Sequence, residues 1–264
     1  MDLGIQNQTA LVTASTAGIG LAVATALARE GAQVVVNSRT QQRVDDAIAG
    51  IVSAVPDARV RGVAADVATA EGAQALIAAV PEADILVNNA GLFIPKAFED
   101  LTDQDWAFFF EINVMTGVRL ARHYLPGMIA RNRGRIVFVS SEAALEIPVE
   151  AIPYGATKAA VLALARGLAE KTRGTGVTVN SVLPGPTSSE AFGGAMAGIA
   201  AGRGIPVEQL EKEFFAQVRP SSLISRFATT GEVANMIVYL SSAAASATNG
   251  AAIRVEGGIL KSIV

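Results

Sequence analysis

The chain contains no cysteine, one histidine and one tryptophan among 264 residues. The lack of cysteine excludes a disulfide framework and a thiolate nucleophile, and a lone histidine does not make the His/Cys cluster of a zinc site. No metal is therefore expected. A Ser-His-Asp hydrolase is disfavoured as well, because the G-x-S-x-G elbow is missing. Charge is sparse: 17% of residues are charged and the net charge is −3. Without a basic excess, neither nucleic acid nor an anionic membrane is an expected partner. No apolar run is long enough to span a bilayer; the Gly/Ala-rich stretch 191–202 is too short. The opening "MDLGIQNQTA" lacks the basic-plus-apolar pattern of a leader. A cytoplasmic protein acting on small molecules is the expectation.

Half the residues (51%) are hydrophobic, enough for a sizeable core. Short β-branched runs recur at 9–13, 33–37, 59–66, 84–91, 135–141, 177–185 and 251–258. Several are continuous apolar blocks, as in strands buried on both faces. Ala/Leu-rich helical patterns separate them, as at 20–32 and 156–172. This alternation predicts an α/β fold: a doubly wound, seven-stranded parallel sheet with helices on both faces. No linker or internal repeat interrupts it, so residues 1–264 are read as one domain. Residues 188–230 break the rhythm, and an insertion after a strand's C-terminal end lies over the ligand crevice of such a sheet. They are expected to cover the substrate.

The first strand leads into "TASTAGIG", Thr13 to Gly20, and then directly into a helix. Backbone N–H groups at a helix N-terminus bind phosphate, and glycine lets the backbone approach closely. Thr13, Ser15, Thr16, Gly18, Ile19 and Gly20 are therefore candidate cofactor contacts. The second strand, "VVVN", ends abruptly in Ser38-Arg39. In a dinucleotide fold this strand end faces the adenosine ribose. A carboxylate there binds the 2′-OH, whereas an arginine accommodates the 2′-phosphate of NADP. No carboxylate stands at 37 or 38, and Arg39 offers a planar, charge-assisted contact to phosphate, with Ser15 and Ser38 as added hydroxyl donors. NADP(H) is the expected cofactor, with NAD(H) still possible.

From its first strand to its last the chain resembles the short-chain dehydrogenase/reductase family. Thr13–Gly20 is similar to the family's T-G-x-x-x-G-x-G loop, with Ala14 where the first glycine belongs. Asn88-Asn89-Ala90-Gly91 reproduces its N-N-A-G motif and Tyr154 to Lys158 its Y-x-x-x-K motif. Ser141 stands thirteen residues before the tyrosine, and Asn113 lies in the helix after the N-N-A-G strand. Pro184-Gly185 follows the sixth strand, with Thr187 and Ser189 behind it, and Asp66-Val67 matches the adenine-contacting pair. The resemblance implies cofactor contacts at Asp66, Val67, Asn89, Ala90, Gly91, Tyr154, Lys158, Pro184, Gly185, Thr187 and Ser189. It implies catalysis by Asn113, Ser141, Tyr154 and Lys158, and assembly as a homotetramer.

Residues four apart share a helix face, so Tyr154 and Lys158 are neighbours. The ammonium is expected to lower the phenol's pKa toward the working range. Ser141 would donate to the substrate oxygen as charge develops there; Ser140, its neighbour on the strand, would face away. Asn113 would hold a water relaying protons to Lys158. The expected reaction is reduction of a ketone to a secondary alcohol, or the reverse, with tyrosine as general acid/base. Apolar residues (Phe93, Ile94, Ala143, Leu145, Ile147, Pro148, Ile152, Phe192, Met196) are expected to rim the substrate, and Glu142, Glu146 and Glu150 to face solvent. An alternative is a 3-oxoacyl thioester reductase whose basic residues, Arg131, Arg133, Arg135, Lys171 and Arg173, dock an acidic carrier protein. A dinucleotide sensor without catalysis is disfavoured, since both tyrosine and lysine are present.

Overall fold

The computed structural model describes residues 2–263. In chain order the elements are β1 (Thr9–Val12), α1 (Gly18–Arg29), β2 (Gln33–Ser38), α2 (Gln41–Ala54), β3 (Arg59–Ala64), α3 (Ala70–Ala79), β4 (Ile85–Asn88), α4 (Asp103–Phe110), α5 (Thr116–Ala130), β5 (Gly134–Val139), α6 (Ile152–Glu170), β6 (Val177–Pro184), β7 (Thr187–Ser188), α7 (Glu190–Arg203), α8 (Val207–Gln217), β8 (Ala228–Thr229), α9 (Thr230–Leu240) and β9 (Ala252–Val255). Seven strands form one parallel sheet in the order β3-β2-β1-β4-β5-β6-β9. The chain winds outward from β1 in one direction, then returns to β4 and winds outward in the other. The crevice between β1 and β4 is thus the topological switch point, where ligands bind in open α/β sheets.

Both faces of the sheet are covered, which is why its strands read as unbroken apolar runs. Side chains still alternate between faces. Val34 and Val36 pack with Val12, Val87 and Val139 against α1, α2 and α9. Val35 points the other way and joins Leu11, Leu86, Ile136 and Phe138 against α3, α5 and α6. A third, smaller core gathers Met196, Ala200, Leu210, Phe215 and Phe227 within the 188–230 segment. There the rings of Phe192 and Phe227 meet edge-on, 4.9 Å apart. Met196 is therefore a packing residue of this segment and not part of the substrate rim, a correction to the expectation. No helix among the described residues is long and apolar enough to cross a membrane.

Arg135 also departs from the sequence reading. It is buried, donating to the carbonyls of Ser242, Gly134 and Gly176 at 3.0, 2.9 and 2.8 Å. It is a structural tie at the foot of β5, not part of a basic patch. The remaining arginines of the patches are exposed or partly exposed but paired: Arg131 with Glu82, Arg133 with Asp84 and Arg173 with Glu170. The Phe108–Phe110 run splits, with Phe109 buried and its two neighbours exposed on α4. His123 is on α5 and does not line the crevice; its Nε2 is 2.9 Å from the Pro81 carbonyl.

Candidate active site

A cleft of about 520 Å³ opens at the C-terminal ends of β1, β4, β5 and β6. One wall is the start of α1. Its N-cap, Ala17, offers no side-chain cap, and its first turn holds no acidic residue. The helix's free N–H groups and positive dipole end are therefore available to an anion. Gly20 is packed so closely that an added Cβ would stand 2.5 Å from both the Ala14 carbonyl and the Asn89 Nδ2. Gly18 is left-handed, with φ +55°. These are the conditions a compact phosphate cradle needs, so the residues present fit a dinucleotide.

The loop is braced from beneath. Ser15 is fully buried; its hydroxyl donates to the Val12 carbonyl at 2.7 Å and accepts from the Asn37 amide at 2.9 Å. It cannot also serve as a hydroxyl donor to a 2′-phosphate, which corrects that expectation. Thr13 is equally buried, its hydroxyl accepting from the amides of Asn89 and Ala90, both at 3.0 Å. Asn89 returns two side-chain hydrogen bonds to the Thr13 and Ala14 carbonyls. Asn37 spans three strand ends, accepting weakly from the Ala14 amide and donating to the Val63 and Ala65 carbonyls. This accounts for the asparagine that ends the valine run. Ala14 sits at φ +49°, the left-handed region that favours glycine.

At the far end of this wall, Ser38 is half-buried and Arg39 exposed. Arg39 makes no hydrogen bond or ion pair among the described residues, so its guanidinium is free for a ligand. Asp66 is exposed at the end of β3, and Val67 beside it is buried, its carbonyl accepting from Thr116. Thr16 is half-buried in the loop. Ile19, Gly91, Pro184, Gly185, Thr187 and Ser189 all line the cleft. The Ser189 hydroxyl also caps α7 by accepting from the Phe192 amide.

The four candidate catalytic residues lie together at the inner end. Tyr154 and Lys158 share the inward face of α6, with Lys158 Nζ 5.6 Å from the tyrosine ring centroid. Nζ donates to the Val139 carbonyl at 2.9 Å. Ser141 follows β5 and places its hydroxyl beside the Tyr154 phenol, while Ser140 turns away to donate to the Lys158 carbonyl. Asn113 occupies a π-helical turn, 111–115, between α4 and α5. Its side chain is fixed by the Leu92 amide and carbonyl and by Thr157. Its Oδ1 and Lys158 Nζ flank Gly91, 3.6 and 3.1 Å from where a Cβ would stand. Glycine is what leaves room for the lysine there.

The electrostatics differ from expectation in one respect. Burial pushes Lys158 down to about 8. Tyr154 is not lowered but pushed up to about 12: burial is the main cause, the Ser141 hydrogen bond opposes it, and the charge of Glu142 adds to it. The lysine's direct hydrogen bond goes to a backbone carbonyl, which leaves desolvation of the phenol to dominate.

Glu142 is the functional-site residue the sequence reading misplaced. It is buried in the cleft, not solvent-facing. Its Oε2 accepts from the Ser141 hydroxyl at 2.7 Å and the Ala143 amide at 3.0 Å. Its Oε1 takes a two-pronged contact from Arg219 Nε and Nη2, at 3.2 and 3.1 Å. Arg219 comes from just beyond α8, 77 residues away in sequence, and no local pattern links the two. The 188–230 segment supplies Phe192, Phe214 and Val218 to the same wall, while Phe93 meets Tyr154 edge-on at 5.1 Å.

A switch-point crevice with an uncapped helix end on one side and a Ser–Tyr–Lys group on the other defines a dinucleotide-dependent oxidoreductase. Comparison with known proteins places the chain accordingly: residues 8–200 match the model of the short chain dehydrogenase family, and the chain belongs to that family. It is 48% identical to the uncharacterized oxidoreductase YvrD of Bacillus subtilis, over the full length of both. It is 35% identical to a D-beta-hydroxybutyrate dehydrogenase of Cupriavidus necator, covering 96% of this chain and 98% of that one. Among solved structures, L-sorbose reductase of Gluconobacter frateurii, complexed with NADPH and L-sorbose, superposes with a TM-score of 0.94 at 34% identity over the whole of both chains.

Proposed function

We propose that the protein is an NADP(H)-dependent carbonyl reductase that converts a ketone to a secondary alcohol and runs the reverse oxidation with the same groups. The observation that carries this reading is the meeting of Ser141, Tyr154 and Lys158 in one cleft with the free N-terminus of α1. The dinucleotide, when bound, supplies the hydride to the carbonyl carbon. Its pyrophosphate would be held by the backbone of residues 16–20, and its 2′-phosphate by Arg39 and Ser38. The NADPH complex of the sorbose-reducing relative supports that cofactor choice.

The chain's own groups handle the oxygen. Tyr154, pushed up to about 12, is a neutral phenol at neutral pH and so stands ready as an acid. It gives its proton to the carbonyl oxygen as negative charge builds there. Ser141 donates a hydrogen bond to the same oxygen. Lys158, at about 8, is still an ammonium at neutral pH and favours the phenolate left behind. Asn113 Oδ1, which like Lys158 Nζ lies close to Gly91, would hold a water that returns the proton through Lys158. The 188–230 segment closes the substrate side and keeps water from it. Exposed Phe108 and Phe110 on α4 suit a subunit contact of the homotetrameric kind.

The 3-oxoacyl thioester reading draws less support, because Arg131, Arg133 and Arg173 spend their charge on neighbouring acids and Arg135 is buried. The test is NADPH and NADH consumption, side by side, against ketones, hydroxy ketones and 3-oxoacyl thioesters, with Tyr154→Phe as control. Turnover that prefers NADPH and falls at least about a hundredfold in Tyr154→Phe is expected. Turnover that survives the tyrosine's removal would overturn the assignment.

A further inference from the structure

The cleft is lined largely by apolar side chains, yet a buried ion pair sits beside the serine meant for the substrate oxygen. Taking two charges out of water is costly, and a well-packed apolar pair would often be as stable. Stability alone does not account for the pair. Its geometry does suggest a use. The carboxylate's acceptor positions are filled by Arg219 Nε, Arg219 Nη2, the Ala143 amide and the Ser141 hydroxyl. Of these, only the serine proton is free to turn away. A serine hydroxyl has one proton to give; while Tyr154 is neutral that proton is directed at Glu142 Oε2, and an ionised phenol would compete for it.

When a carbonyl oxygen arrives between Ser141 and Tyr154, that proton must be redirected to it. Glu142 Oε2 then loses a hydrogen bond inside a buried site, which is costly unless something replaces it. A plain ketone has nothing to offer. A ketone with a hydroxyl on the adjacent carbon does: its two oxygens sit about a hydrogen-bond length apart. Ser141 Oγ and Glu142 Oε2 are spaced in the same way, at 2.7 Å. The serine can serve the carbonyl while the substrate's hydroxyl donates to the glutamate.

Building on the carbonyl-reductase reading above, we propose that Glu142, held in place by Arg219, is a specificity-determining residue that accepts a hydrogen bond from a hydroxyl next to the reacting carbonyl, making α-hydroxy ketones the substrate class. Because Arg219 arrives from the covering segment, the pocket that reads this hydroxyl is complete only when that segment is seated.

The experiment compares hydroxyacetone with butanone, in which a methyl group takes the place of the hydroxyl, using NADPH and the full-length enzyme. The readout is the ratio of the two kcat/KM values in the wild type, in Glu142→Gln and in the double variant Glu142→Leu/Arg219→Leu. Intrinsic reactivity of the two ketones cancels when ratios are compared between enzymes. The double variant removes both charges together, so neither is left buried and alone. The ratio should fall by about tenfold or more in the double variant, the size of one charged hydrogen bond, and part-way in Glu142→Gln. Butanone kcat/KM in each variant supplies the baseline, so any general loss from the altered surroundings of Ser141 and Tyr154 cancels in the ratio, and NADPH binding followed by fluorescence checks that they are folded. A ratio unchanged by both substitutions, or a wild type that does not favour hydroxyacetone, overturns the proposal while leaving carbonyl reduction standing. No NADPH consumption with any carbonyl overturns both.

Discussion

Replacing Arg39 with aspartate tests how the protein selects its cofactor, and the structure bounds the size of the effect. Arg39 lies exposed just past β2 and makes no hydrogen bond or ion pair among the described residues. Nothing in the fold competes for the guanidinium, and no native contact is lost when it goes. A charged hydrogen bond to phosphate is worth about tenfold to a hundredfold in affinity, with salt screening trimming the upper end at an exposed site. Aspartate removes that contact and sets a like charge against the 2′-phosphate. Toward NADH it offers an acceptor for the ribose 2′-OH, worth about fivefold as an ordinary hydrogen bond. The ratio of kcat/KM for NADPH over NADH should therefore drop by about a hundredfold or more. Initial rates with one carbonyl substrate and both cofactors measure it, and the melting temperature should stay within about a degree, since surface substitutions of this kind are nearly neutral. Equal losses with both cofactors would refute the reasoning and place Arg39 outside the ribose site.

Other outcomes follow from the same geometry. Ala14 at φ +49° carries a left-handed strain of about 1–2 kcal/mol. Ala14→Gly should relieve it, less the greater freedom glycine has when unfolded, for a net gain of about 0.5–1 kcal/mol and a rise of a few degrees in Tm. A lower Tm in a thermal scan would contradict this. Alcohol oxidation needs the Tyr154 phenolate, so with the phenol near 12 its kcat/KM should climb with pH through neutrality and flatten above about 8, where Lys158 loses the charge that favours the phenolate. Glu142 raises that phenol, so Glu142→Gln should move the limb to lower pH, and a shift upward would show the coupling has the wrong sign.

The elements and most of the site could be read locally. A strand buried on both faces needs an apolar run, and a phosphate loop needs small residues between a strand and a helix; such requirements fall on neighbours in sequence. So the valines of β2, the glycines of the loop and the four-residue spacing of Tyr154 and Lys158 were legible before any fold was in view. Alternation along a strand is local too and says that only one of Ser140 and Ser141 faces the cleft; which one is picked by the thirteen-residue spacing to Tyr154 that the family resemblance implies. Where sequence reading failed, the deciding partner was far away. Ser15 looked like a free hydroxyl until Asn37 and Val12 took up both of its bonds. Arg135 looked like surface charge until carbonyls from Gly176 and Ser242 closed over it.

The layered sheet, the phosphate loop and the shared face of Tyr154 and Lys158 are written locally, because hydrophobic period, turn chemistry and helix spacing act over a few residues, whereas Ser141 and Asn113 are picked out by the resemblance to the family. The electrical character of the cleft arises from contacts distant in sequence. Burial set Tyr154 high and Lys158 low, and the fold brought Arg219 across 77 residues onto Glu142. Desolvation and ion pairing depend on what surrounds a group from every side, and that environment exists only once the chain has folded.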